Sequence, residues 1–219
     1  MNKIFKKLCL ALTTAFLLGG CALLGLNGGD TAGITLRISE VGCAYYQEDP
    51  VFIEIYNYGS ETVDLGDCVL RSSAALLGSI TLYEGEFELP SHPVEPGAFV
   101  LIRADVNAEP TEHGAAQVDR YDEISVSAGG YFPYWTNMGF AELTARGQSV
   151  DFVRWGSGGI ANPTTGSFES SAPGTSYVEN YYFVKSIARA DEADDTDSGM
   201  DWDSTADSTP GKTNIEEDE

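Results

Sequence analysis

Three observations predict an all-β sandwich. Apolar and polar residues alternate with a period of two in Ile34-Thr35-Leu36-Arg37-Ile38, in Val51-Phe52-Ile53-Glu54-Ile55-Tyr56 and, in part, in Phe99-Val100-Leu101-Ile102-Arg103. That period gives each strand two faces, and the β-branched and aromatic residues in these runs suit a pleated, half-buried surface. Turn-forming residues separate the runs at Asn57-Tyr58-Gly59-Ser60, Glu95-Pro96-Gly97, Arg146-Gly147-Gln148 and Gly156-Ser157-Gly158-Gly159. Beyond the first twenty residues no ten-residue stretch carries a convincing helical stripe. Many short strands must then share one core between two inner faces.

In chain order the first element is a leader. Lys3, Lys6 and Lys7 form a positive start, Leu8 to Leu18 an apolar run, and Gly19-Gly20 a small pair ahead of Cys21. The apolar run is about half the length that crosses a bilayer. Residues 1–20 are therefore expected to be a lipoprotein signal peptide with Cys21 as the lipid attachment residue. Its thiol takes a diacylglycerol and its freed amine a further acyl chain; two or more chains hold a protein firmly where one holds it marginally. Ala22 rather than an acid follows the cysteine, which favours the outer membrane of a Gram-negative envelope. Residues 21–33, with Gly25, Gly28, Gly29 and Gly33, read as a flexible tether, residues 34–214 as the folded domain and residues 215–219 as a disordered acidic end.

Charge excludes one class of partner. The chain has 34 acidic and 12 basic residues, a formal charge of −22, and removing the leader leaves nine of the basic ones. They are scattered between Arg37 and Lys212 with no two adjacent. A polynucleotide binder needs a basic stripe to neutralise phosphates, so nucleic acid is not expected as a partner. The acidity suits solubility at a cell surface and can gather divalent cations.

Cys9 leaves with the leader and Cys21 is acylated, so Cys43 and Cys68 remain. In an oxidising compartment such a pair is read as a disulfide candidate, against the alternative of two buried thiols.

Eight acids, Asp191, Glu192, Asp194, Asp195, Asp197, Asp201, Asp203 and Asp207, lie within seventeen residues. Calcium takes oxygen ligands at this density, and Asp195-Thr196-Asp197-Ser198-Gly199 alternates carboxylates before a glycine. The glycine comes one place too early for an EF-hand, and no glutamate closes the loop. Asp191, Asp194, Asp195, Asp197 and Asp201 are the candidate Ca2+ ligands; the alternative is a solvated acidic loop pinned by Trp202 and Pro210. Tyr131, Tyr134 and Trp135, in an aromatic cluster with Phe132, are the candidate platform for a glycan or protein, or else cover an open end of the core. Tyr177, Tyr181, Tyr182 and Phe183 pose the same choice.

Catalytic motifs are missing from the sequence. The two histidines, His92 and His113, sit in no nucleophile motif, and no Gly-x-Ser-x-Gly, His-Glu-x-x-His or phosphate-cradling loop is present. A carboxylate pair could hydrolyse a glycoside, but nothing singles out a pair among so many acids.

Several pieces resemble the lamin tail domain in order and spacing. They are Ile38-Ser39-Glu40-Val41, Phe52 to Asn57, Val63 to Leu70, Val94 to Ile102, Ala141-Glu142-Leu143, Gly147 to Val153, Ser186 to Arg189, Asp195-Thr196-Asp197, Asp201-Trp202 and Thr209 to Asn214. The likeness covers Ile34 to Asn214 and implies an immunoglobulin-like β-sandwich that is a non-catalytic module. Cys68 stands where that family commonly has a tryptophan. The cavity left by so small a side chain would cost up to about a few kcal/mol, which a bridge to Cys43 would offset. Residues 104–137 form an enlarged segment, the usual place for a sandwich to carry its function. The reading is a lipid-anchored, non-catalytic display module of the cell envelope, with the membrane reached through Cys21 and an unknown protein or glycan partner. The alternatives are a calcium-stabilised adhesion or glycan-binding domain and, further off, an envelope hydrolase using carboxylates.

Overall fold

Two sheets face each other across one apolar core in this computed structural model, which describes residues 31–42, 52–75, 82–105, 121–127, 135–156, 161–174, 186–192, 194–205 and 208–214. The larger sheet has six strands. In spatial order they are β12 (Trp202–Thr205), β11 (Ser186–Arg189), β1 (Leu36–Gly42), β2 (Ile53–Asn57), β7 (Phe99–Asp105) and β8 (Tyr121–Ser127). The smaller sheet orders β10 (Gln148–Gly156), β9 (Met138–Ala145), β4 (Cys68–Ala75) and β5 (Leu82–Glu88). A short ladder joins β3 (Val63–Asp64) to β6 (Pro93–Val94). All-β architecture is therefore observed, with antiparallel neighbours except for β7 and β8, which run parallel.

The core follows from the alternation. Ile38, Ile53, Ile55, Val100, Ile102 and Ile187 of the larger sheet meet Leu70, Ala141, Leu143, Val153 and Trp155 of the smaller. Each fully buried branched side chain stabilises the fold by roughly 1.5–3 kcal/mol. A register shift between Ile38 and Glu40 inserts an extra residue into β1, so Ile38 and Val41 both reach the core.

The turns use the residues that signal them. Arg146 and Gly147, at φ 52° and 76°, close the β9–β10 hairpin, a two-residue loop whose twist matches its strands. The Ala98 N–H donates to the Glu95 carbonyl across Pro96-Gly97, with Gly97 at φ 72°. Proline followed by a glycine of positive φ suits a type II turn.

One expectation changes. Within the segment 104–137, residues 121–127 form β8, where Ile124 and Val126 alternate with polar residues and pair in register with Ile102 and Ala104. Its parallel partner supplies no hairpin turn signal, and its acidic start reads as loop. Cys68 begins β4 opposite Ala145 as a buried free thiol, which burial above all pushes up to about 12. Cys43 lies outside the described residues, one position past Gly42. The Gly42 carbonyl accepts from the Trp135 N–H, and the Trp135 indole donates to Pro173 beside the Ala172–Trp155 bridge. The Cys68 thiol fills core space, and its expected bridge partner is not among the described residues.

Candidate functional site

Two buried polar clusters lie against β1. The first is centred on Arg189, at the end of β11, which is 1% exposed. Its Nη2 donates to both carboxylate oxygens of Asp151, at 3.0 and 2.9 Å, and its Nε to the Ile38 carbonyl at 3.3 Å. Asp151 sits at the irregular register of β10 and also accepts from the Ile38 and Phe152 N–H groups, at 2.7 and 2.8 Å. Burial lifts the Asp151 carboxyl above its ordinary range, and the guanidinium pulls against that shift. The Trp202 ring lies 4.9 Å from the Arg189 guanidinium carbon, so a flat cation stacks on an aromatic face.

The acidic segment closes on this arginine. Nη1 of Arg189 donates to Asp195 at 3.2 Å and lies 3.7 Å from Asp201, while Arg37 lies 3.5 Å from Asp195. Asp201 also accepts from the Thr196 N–H and hydroxyl, at 2.9 and 2.6 Å, and from the Ser198 N–H at 3.4 Å. Against partial burial these donors hold its carboxyl below the usual range. Ser198 caps the short 3-10 turn Gly199–Asp201 in a capping box. Asp197 is exposed, with a left-handed backbone at φ 53°, and the Asp194 N–H donates to the Asp191 carbonyl.

The five candidate calcium ligands, Asp191, Asp194, Asp195, Asp197 and Asp201, therefore do not surround one centre. Guanidinium groups stand where a cation would be drawn, and among the described residues no group of three acid, histidine or cysteine side chains could hold a metal. What the sequence marks as a possible ion loop is a loop folded on Arg189.

Among the described residues the donors that reach the carboxylates of the second cluster are neutral. Glu54 lies between Ile53 and Ile55, which face the core, so it projects from the other face of the larger sheet; Glu40 is directly across from it. Both are nevertheless fully buried, because residues 209–214 fold over them. Thr209 donates its N–H and hydroxyl to Glu40 at 3.1 and 3.2 Å, and the Gly211 N–H donates to Glu54. The Asn214 N–H and the Thr213 hydroxyl donate to Glu192. Ser186 and Ser39 add hydroxyl donors to Glu40 and Glu54 respectively.

Like charges directly opposite in a ladder repel, and burial strips their solvation. Burial accordingly pushes Glu40 up to about 7, against the hydrogen bonds from Ser186 and Thr209. It raises Glu54 well above the carboxylate range, with the Glu40 charge adding to the effect. The chemistry available here is proton retention and capture of the tail: the buried acids hold the last strand's follow-on segment against the sheet.

Sequence reasoning missed this latch and the Arg189–Asp151 pair. Glu40 and Glu54 occur in the family-like pieces, yet an acid alternating with isoleucine reads as a solvent-facing residue. The available signal was the polar-donor tail Thr209-Pro210-Gly211-Lys212-Thr213-Asn214, rich in N–H and hydroxyl groups that need acceptors.

The aromatic platform is corrected in one part. Trp135 is fully buried, its backbone N–H on Gly42 and its indole N–H on the Pro173 carbonyl at 2.8 Å, so it packs and presents no ring to a ligand. Tyr131, Tyr134, Tyr177, Tyr181, Tyr182, Phe183 and the lipid-attachment residue Cys21 lie outside the described residues. No family model and no curated protein matches the chain.

Proposed function

We propose that this chain is a lipid-anchored, non-catalytic module of lamin-tail type, held at the cell envelope and serving a binding or structural role. The observation that carries the reading is the meeting of the first and last family-like pieces. Thr209 and Gly211 of the tail donate to Glu40 and Glu54 of β1 and β2, so the two ends of the resembling stretch close one unit. The pieces between them fall in the same order on β2, β4, β7, β9, β10 and β11. The most deeply buried acids are engaged in holding the fold, which supports a scaffold in preference to an acid–base machine. Anchoring is supported by Lys3, Lys6 and Lys7, the apolar run and Cys21, with the outer membrane favoured in a Gram-negative cell. A protein or glycan is the partner class.

The test is metabolic labelling. Cells expressing the full chain and fed radiolabelled palmitate should yield a labelled protein in the membrane fraction, and Cys21→Ala should abolish the label. A wild-type chain that stays unlabelled overturns the anchor.

A further inference from the structure

We propose that the open edge of β5 takes up an extended basic segment of another protein as an added strand, with lysine or arginine at alternate positions against Glu84, Glu86 and Glu88. The inference rests on the reading of the domain as a binding module and names the chemistry of its partner.

β5 ends its sheet, and its ladder is with β4. The Leu89 N–H donates to the Cys68 carbonyl, which fixes the phase of that ladder. Every second opposed pair exchanges both bonds in an antiparallel ladder, here Phe87 with Leu70 and Gly85 with Ser72. The N–H and C=O groups of Glu84, Glu86 and Glu88 therefore point away from β4. They bond to no other described residue; β8 of the facing sheet comes near β5 but shares no ladder with it. Unpaired edge backbone is a template for another strand.

The side chains select which strand. Glu84, Glu86 and Glu88 are exposed, share one face at a spacing of two, and make no ion pair among the described residues. In an added strand the residues directly across would lie about 5 Å away, Cβ to Cβ. A second copy of β5 would set glutamate against glutamate, which disfavours self-association through this edge. This chain has no pair of basic residues two apart anywhere, so it cannot supply the complementary strand itself. A shallow cleft on the same face, lined by Glu84, Glu86, Arg71 and the largely buried Phe140, offers two carboxylates to a lysine ammonium. Arg71 is already held by Glu142 and Thr164, leaving the two edge glutamates as the open charges.

The experiment is amide exchange read by mass spectrometry on the full mature lipoprotein in neutral detergent. The probe is a capped peptide of alternating lysine and threonine that matches the seven residues of β5. In the free protein the outward amides of Glu84, Glu86 and Glu88 should exchange quickly, and saturating peptide should slow them by about tenfold or more. A peptide of the same composition with its lysines clustered should leave them unchanged. Changing all three glutamates to lysine should switch the preference to an alternating glutamate–threonine peptide. Glu86→Pro removes an outward donor without touching a β4 bond, a substitution edge strands tolerate, and should abolish the protection. Slow exchange in the free protein, equal protection by the clustered peptide, protection retained in Glu86→Pro, or no protection at all each overturns the proposal. Palmitate labelling reports separately on the anchor, so failure of the edge and failure of the anchor are distinguishable.

Discussion

The two buried clusters beside β1 differ in charge balance. Around Arg189 each buried charge has an opposite partner: Asp151 takes two bonds from one nitrogen, and Asp195 and Asp201 face another. Around Glu40 and Glu54 the charges are alike, and the donors are neutral backbone and hydroxyl groups from the tail and the hydroxyls of Ser39 and Ser186. The first arrangement is satisfied only while every member is present. The second is satisfied by taking up protons. Loss of a partner should therefore damage the arginine cluster, and a change of pH should act on the glutamate cluster.

Breaking the balanced pair should give the largest effect. Arg189→Met leaves Asp151 buried without its cation, and removing one partner of a buried pair typically costs about 3–5 kcal/mol. For a domain of this size that corresponds to a fall in Tm of roughly 6–20 °C. The double change Arg189→Met with Asp151→Leu removes both charges and should recover much of the loss, since apolar replacement of a whole pair is often neutral. Thermal melts of the wild type, the single variant and the double variant at one pH check this. If the double variant melts no higher than the single one, the cost lies in lost packing against Trp202 and not in the stranded charge.

The like-charged pair should show itself in pH dependence with an unusual sign. Glu40 binds its proton more tightly folded, with its value pushed from 4.5 to about 7, and Glu54 shifts in the same direction. That stabilisation is fully present below about pH 4.5 and is lost as pH rises through about 7, up to about 3 kcal/mol for Glu40. Asp64 and Asp201 have the opposite sense, with values held below 3.8, so their contribution is lost as acid carries the pH below that point. Denaturant midpoints measured from pH 3 to pH 8 should peak near pH 4–5 and fall toward pH 8. Glu40→Gln should flatten the limb between pH 4.5 and pH 7 while leaving the acid limb intact. A wild-type curve that climbs steadily to pH 8 would mean that both glutamates ionise freely behind the tail.

How much of this was legible in the sequence follows from where each interaction is written. β1, β2, β7 and the β9–β10 hairpin were readable because alternation and turn chemistry are local. β8 was not, because a parallel strand needs no turn and shows its partner only in space. Glu40 and Glu54 looked solvated because the groups that bury them lie 169 and 157 residues away in the chain. Asp195 and Asp201 looked like oxygen ligands awaiting an ion. Their charge was visible, but not the guanidinium that β11 sets among them. Trp135 was ambiguous for a related reason: an aromatic cluster has the same composition whether it caps a core or faces a ligand.

The smallest expected effect sharpens the comparison from the cation side. A calcium site filled at about a hundred times its dissociation constant would add about 2.7 kcal/mol to stability, or roughly 5–10 °C in Tm. Binding at Asp195 and Asp201 would instead require calcium to draw both carboxylates away from Arg189, restoring the exposed charge balance at the cost of the buried one. The full chain should therefore melt within about 1 °C in saturating calcium and in excess chelator at matched ionic strength. A larger rise with calcium, absent with magnesium and lost in Asp195→Asn, would show that an ion competes successfully with the guanidinium. The acidic segment would then exchange between two cations, the arginine closing the loop when the metal is gone.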